Sequence, residues 1–254
     1  MPEDRVAALG EIAGRVRTCI LCPLHKGRTR AVPGAGDPFA EIMFIGEGPG
    51  YNEDKQGLPF VGRSGDYLTE LIQSIGLTRD QVFITNVVKC RPPENRDPLP
   101  VEIDTCRPYL DNQQTLIDPL VIVTLGRFSM ARYFPGGKIT AIHGRPKYEG
   151  TRAFIPLFHP AAVLRNPALE EPMAEDFRRI LDVLAEVKRR RAGEPPVEAG
   201  PAAQEPSLKT ELPPPPPAAP QRRSFDAPPA PAPEPPPDPP AAPDNDRPTQ
   251  LRLF

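Results

Sequence analysis

The chain has no tryptophan, and aromatic residues make up only 6% of its 254 positions. Histidine occurs three times; cysteine and methionine occur four times each. No apolar run reaches the ~18 residues a membrane-spanning helix needs, so an integral helical membrane class is excluded. The opening stretch MPEDRVAALG lacks the charged-then-apolar pattern of a secretory signal. These absences predict a cytoplasmic protein with no membrane partner. In that reducing compartment, four cysteines read as metal ligands or buried thiols rather than disulfides. No repeat of about 20–50 residues is present, which excludes solenoids and propellers. Gly46 and Gly48 follow an apolar run, but no third glycine completes a dinucleotide fingerprint and no phosphate-loop lysine follows. A nucleotide-binding enzyme therefore loses its signature.

Proline is abundant instead. Of 39 prolines, 21 fall in residues 193–254. That stretch has too few large apolar side chains to offset the entropy of ordering, so it reads as a disordered linker over 193–249. It carries nine acidic and five basic residues, whereas residues 1–192 are slightly basic. The folded unit is one domain over residues 1–192, of ordinary size for a single core.

Four apolar runs bounded by turn residues, 42–46, 82–88, 120–126 and 153–158, show little alternation, as strands covered on both faces do. Helical patterns lie at 4–17, 64–75, 101–117, 126–134 and 168–191. This alternation predicts an α/β fold, a three-layer α/β/α sandwich on a mostly parallel four-stranded sheet. Sites in such sheets form beyond the carboxyl ends of the strands. The residues there are unusual: Gly46-Glu47-Gly48-Pro49-Gly50, Asn86 running into Lys89-Cys90-Arg91, Gly126-Arg127, and His159-Pro160. The basic run 188–191 reads as a solvated complement to a helix C-terminus.

The cysteines are Cys19, Cys22, Cys90 and Cys106, spaced C-x2-C, 67 residues, C-x15-C. Two pairs suit a four-thiolate site, either an iron–sulfur cluster or structural zinc. A redox dithiol and a set of buried small hydrophobes are the alternatives.

The segments CILC, GEGPGYNEDKQGLPFVGRSG, ITNVVKCRPPENRDP, IDTCRPYL, VTLGRFS and LFHPAAVLRNP, in this order, resemble family 4 uracil-DNA glycosylases, the iron–sulfur type. The resemblance covers roughly residues 15–190. It implies a uracil-DNA glycosylase-like fold and a 4Fe-4S cluster on Cys19, Cys22, Cys90 and Cys106. It also implies hydrolysis of the bond between uracil and deoxyribose, leaving an abasic site, the first step of base-excision repair. The base must leave the helical stack, the leaving uracil anion must be stabilised, and bulk water must be excluded.

On this resemblance His159 donates a hydrogen bond to the leaving base. Glu47 organises the attacking water or stabilises the sugar cation. Asn86 offers a donor and an acceptor to the uracil edge, a pattern cytosine reverses. Phe60 stacks on the flipped base, Glu53 lies near its C5, and the backbone amide of Gly48 approaches the base or a phosphate. Leu164 or Arg165 fills the gap left in the DNA. A monomer is expected, since repair of one nucleotide requires no symmetry. A non-catalytic damage binder is the rival class, and the joint presence of Glu47, Asn86 and His159 argues against it.

The last residues, Thr249-Gln250-Leu251-Arg252-Leu253-Phe254, form an apolar cluster after a polar, Pro-rich stretch. QLRLF resembles the pentapeptide by which bacterial proteins bind the sliding clamp. Leu251, Leu253 and Phe254 would enter an apolar pocket, and Gln250 would orient the peptide.

Overall fold

The computed structural model describes residues 2–193. The linker expected over 193–249 and the peptide 250–254 lie outside the described residues, except for Gly193 itself.

Helix α1 (Pro2–Thr18) leads into the first cysteine pair. Strands β1 (Ala35–Gly36) and β2 (Ile42–Gly46) follow, then helices α2 (Tyr51–Gln56) and α3 (Arg63–Ser74) and strand β3 (Phe83–Asn86). Next come α4 (Pro100–Ile117), β4 (Val121–Leu125), α5 (Arg127–Ala131) and α6 (Ile139–Ile142). Strands β5 (Lys147–Glu149) and β6 (Arg152–Leu157) and helices α7 (Pro160–Val163) and α8 (Glu170–Arg191) complete the domain.

The sheet order is β1-β3-β2-β4-β6-β5. The inner four strands are parallel, and the two outer ones pair antiparallel. The sheet thus has six strands rather than the expected four. The missed ones are edge strands of two and three residues, too short to carry a periodic pattern. The helix expected over 126–134 stops at Ala131.

Side chains alternate across the sheet with a period of two. Ile42, Phe44, Val121, Val123 and Ile155 pack with Leu68 and Ile72 of α3 and with Phe177, Ile180 and Val183 of α8. Met43, Ile45, Ile122 and Phe154 pack with Ile12 and Val16 of α1 and with Tyr109, Leu110 and Ile117 of α4. Two cores on opposite faces make the sandwich. From β2 the chain crosses to β3 on one side and later returns to β4 on the other. The crevice beyond their carboxyl ends is therefore where a doubly wound sheet binds ligands.

The basic run at the end of α8 sits at the other edge. Lys188 pairs with Glu41 at 2.7 Å, and Arg191 reaches Asp118 and the Thr151 carbonyl. Glu41 and Thr151 immediately precede strands and Asp118 lies three residues before one, so the run is at the amino ends of the strands, away from the crevice.

Candidate active site

The strand ends supply the walls of one cavity of about 600 Å³, within the range of ligand pockets. Glu47, Gly48, Glu53, Phe60, Asn86, His159 and Arg165 all line it. Leu164 does not; it lies next to Arg165 just after α7 and is 39% exposed.

Asn86 is the last residue of β3, opposite Gly46 in the register. It is buried, and its Oδ1 has no hydrogen-bond partner. A buried orphan acceptor is costly unless a ligand satisfies it. A Cβ on Gly46 would lie 2.4 Å from that oxygen and 2.6 Å from the Phe60 ring. Glycine is required there because the amide and the ring close over it.

Phe60 adopts a left-handed backbone, φ 49°, a conformation disfavoured for an aromatic residue. Its surroundings enforce it. The Val61 amide donates to Glu53 Oε1 at 3.1 Å, and Arg79 donates to the Pro59 carbonyl at 2.8 Å. Helix α3 packs so closely beneath that a Cβ on Gly65 would sit 1.9 Å from the Phe60 carbonyl oxygen. The Phe60 and His159 rings lie 5.6 Å apart, inclined by 29°.

His159 caps α7. Its Nδ1 accepts the Ala161 amide hydrogen at 3.1 Å, which places the ring proton on Nε2. Burial, with a smaller contribution from Arg165, lowers its pKa to about 4. At neutral pH it is an uncharged Nε2–H donor. His143 packs against Phe158, the residue before His159, at 4.5 Å and pairs with the buried Asp176 carboxylate at 2.7 Å.

The profile of the uracil DNA glycosylase superfamily matches residues 33–185. The chain is 50% identical to the type-4 uracil-DNA glycosylase of Sulfurisphaera tokodaii over 192 residues, 72% of this chain and 87% of that protein. The type-4 enzyme of Archaeoglobus fulgidus is 46% identical, with coverage of 68% and 92%. That of Thermotoga maritima is 44% identical, with coverage of 71% and 92%. The chain belongs to the type-4 uracil-DNA glycosylases.

In this glycosylase domain the half-buried Glu47 has a neighbourhood that sequence reading missed. Asp97 and Arg127 form an ion pair across the cavity rim. Burial raises the Glu47 carboxyl, the Asp97 charge raises it further, and Arg127 opposes both. If Glu47 serves the reaction as a carboxylate, the acid limb of kcat/KM lies above 4.5, the ordinary Glu value. Asp97→Asn removes a raising charge and frees Arg127, so the limb moves to lower pH. A pH–rate profile of the two proteins checks this; a limb that stays in place or rises would refute the assignment to Glu47.

Burial also raises the Glu53 carboxyl, against the amides of Glu53, Val61 and Gly50, which lower it. Glu53 thus braces the turn that carries Phe60 as well as lining the cavity.

The four cysteines of the glycosylase line a second, small cavity with Arg28 and Tyr109. None of the four is paired in a disulfide. Arg28 Nη1 donates to Cys90 Sγ at 3.0 Å and the Lys89 amide to Cys106 Sγ at 3.3 Å. Burial raises the Cys22 and Cys90 thiols and pushes Cys106 up to about 11. Between the cavities lies Lys89, fully buried, its pKa lowered by burial to about 8. Its Nζ donates to Thr85 Oγ1 at 2.5 Å, Gln113 Oε1 at 2.7 Å and the Asn86 carbonyl at 2.9 Å. It ties the end of β3 to α4 and to the cysteine-bearing turn. The signal in the sequence was a lysine directly after the apolar Val87-Val88.

Proposed function

We propose that this chain excises uracil from DNA as a monofunctional hydrolase of the N-glycosidic bond. The carrying observation is that Asn86, whose buried Oδ1 has no hydrogen-bond partner, lines one cavity together with Glu47 and His159. Uracil supplies the missing donor through N3–H, and its O4 accepts from the Asn86 amide. The Phe60 ring stacks on the base. As the glycosidic bond lengthens, negative charge builds on the base and His159 Nε2–H stabilises it at O2. Glu47 faces the sugar, where it orients water or offsets the cationic character. The Gly48 amide holds the base or a phosphate. Glu53 crowds C5, where a thymine methyl would sit. Leu164 or Arg165 occupies the space the uracil vacates in the DNA.

A 4Fe-4S cluster on Cys19, Cys22, Cys90 and Cys106 fits the residues present. The four thiols share one cavity. The cluster would supply a cross-link between α1, the β3 turn and α4. Iron and acid-labile sulfide analysis tests it; zinc without iron refutes it.

Residues 1–192 are the catalytic domain, 193–249 a linker and 250–254 a sliding-clamp peptide. The support for the last is the pattern Gln250, Leu251, Leu253, Phe254 alone. Loss of clamp pulldown on Phe254→Ala is expected, and equal recovery rejects it. A cytoplasmic monomer is part of this reading. Separately, no helix among the described residues is long and apolar enough to cross a membrane.

The deciding assay incubates uracil-containing oligonucleotides with the protein and then alkali. Strand breakage at the uracil is expected. A shifted but uncut oligonucleotide would favour a damage binder and sink the enzymatic reading.

A further inference from the structure

Tyr51 opens α2 at the lip of the base cavity, between Gly50 and Glu53, which both line it. It is 56% exposed. The Arg91 guanidinium lies 5.2 Å from its ring centroid and the Lys55 ammonium 5.6 Å. Both cations lie over the ring at longer range than Arg190 over Tyr148 at 4.1 Å, and the residue remains largely exposed.

Arg91 immediately precedes the turn that supplies Pro92 and Asn95 to the cavity wall. Its Nε donates to Asn95 Oδ1 at 2.8 Å. Glu94 and Asn95 both hold left-handed backbones, φ 55° and 53°, strain of the kind concentrated where a turn faces a ligand. Of the three arginines that line the cavity, Arg96 and Arg127 are matched by Glu102 and Asp97, whereas Arg165 lies after α7, far from Tyr51 in sequence. Arg91 is held by a neutral amide, which leaves its charge uncancelled by that contact.

An exposed aromatic ring with two cations in loose contact over it, beside a cavity for one base, has the chemistry of a single-strand nucleotide platform: an incoming base can displace a flexible cation from the ring face, and the cations offer phosphate contacts. We propose that Tyr51, Arg91 and Lys55 form a second nucleotide subsite. Tyr51 stacks the base adjoining the extruded uracil, while Arg91 and Lys55 take neighbouring phosphates. The subsite rests on the uracil-excision reading. Every base has a π-face, so it tolerates any neighbour. It also requires that neighbour to leave its own stack, which single strands permit at lower cost than duplexes.

The test compares two single-stranded oligonucleotides with one uracil each. One has normal flanking nucleotides; the other has abasic spacers on both sides. The wild-type full chain is expected to show a KM five- to a hundredfold lower on the first, about the range that base–aromatic stacking provides. Tyr51→Ala should bring the two KM values together, and Tyr51→Phe should restore the difference. Arg91→Ala should raise KM on both oligonucleotides and flatten its salt dependence. A purely structural role for Tyr51 would not depend on the flanking base. Equal KM values in the wild type, or a wild-type ratio in Tyr51→Ala, overturns the subsite. Absence of uracil release from either oligonucleotide by the wild type overturns the underlying reading instead.

Discussion

Replacing His159 with alanine is expected to lower kcat for uracil release by about 10²–10³-fold, with a much smaller change in KM. That is the usual cost of removing one preorganised donor aimed at charge that develops in the transition state. The side chain meets the requirements of such a donor. Its Nδ1 is occupied by the Ala161 amide, so the proton is on Nε2. With a pKa of about 4 the ring is neutral at working pH, and it acts by hydrogen bonding rather than by delivering a charge. Single-turnover kinetics measures the effect, and His159→Gln, which keeps an N–H donor, should recover part of it. A full wild-type rate in His159→Ala would remove this residue from the reaction.

The same group leaves a stability signature. Its folded pKa, about 4, lies below the ordinary 6.5. Between those values the unfolded chain binds a proton that the folded chain refuses. The contribution of His159 is fully present above pH 6.5 and is lost as the pH falls toward 4. Thermal melting of the wild type should decline more steeply across that window than that of His159→Gln. Parallel curves would mean that the imidazole is not held neutral.

Asn86→Ala is expected to reduce kcat/KM for uracil by about 10³–10⁵-fold, because a site built to pair a polar edge rejects the match when one side is removed. The distinctive part is what does not change. Most truncations of a buried side chain destabilise, but here an unsatisfied oxygen leaves with the side chain. The melting temperature should therefore fall less than for Thr85→Ala. Thr85 is equally buried one residue earlier on β3, and its hydroxyl donates to the Pro33 carbonyl at 3.1 Å and accepts from Lys89. An Asn86→Ala protein that retains activity within tenfold, or melts earlier than Thr85→Ala, contradicts a ligand-reading role.

Both experiments address residues visible in the chain before any fold was known. Asn86 stands out because it interrupts an apolar run, His159 because it ends one, and Glu47 because it follows one between glycines. Strands covered on both faces are nearly all apolar, so a polar residue at the carboxyl end of one marks either a turn or a site. What could not be read were contacts between residues far apart in sequence. The charge on Asp97 that raises Glu47, and the 30-residue separation of Asp97 from Arg127, belong to no local pattern. The left-handed backbone of Phe60 depends on α3 passing beneath Gly65. The edge strands Ala35–Gly36 and Lys147–Glu149 exist only because a neighbouring strand offers free backbone groups to pair with.

Hydrophobic periodicity and the polar residues that interrupt it were enough to determine the layered architecture, the inner strands and the strand ends that bound the crevice, since burial imposes its pattern on the chain locally; Phe60, Glu53 and Arg165 came from the family resemblance. Tertiary structure alone decided that Asn86 keeps an unpaired oxygen, that His159 carries its proton on Nε2, and that Lys89 ties the base cavity to the cysteine cavity. These depend on which donors and acceptors meet after the strands assemble, and hydrogen bonding over ~3 Å is set by geometry that no spacing along the chain encodes.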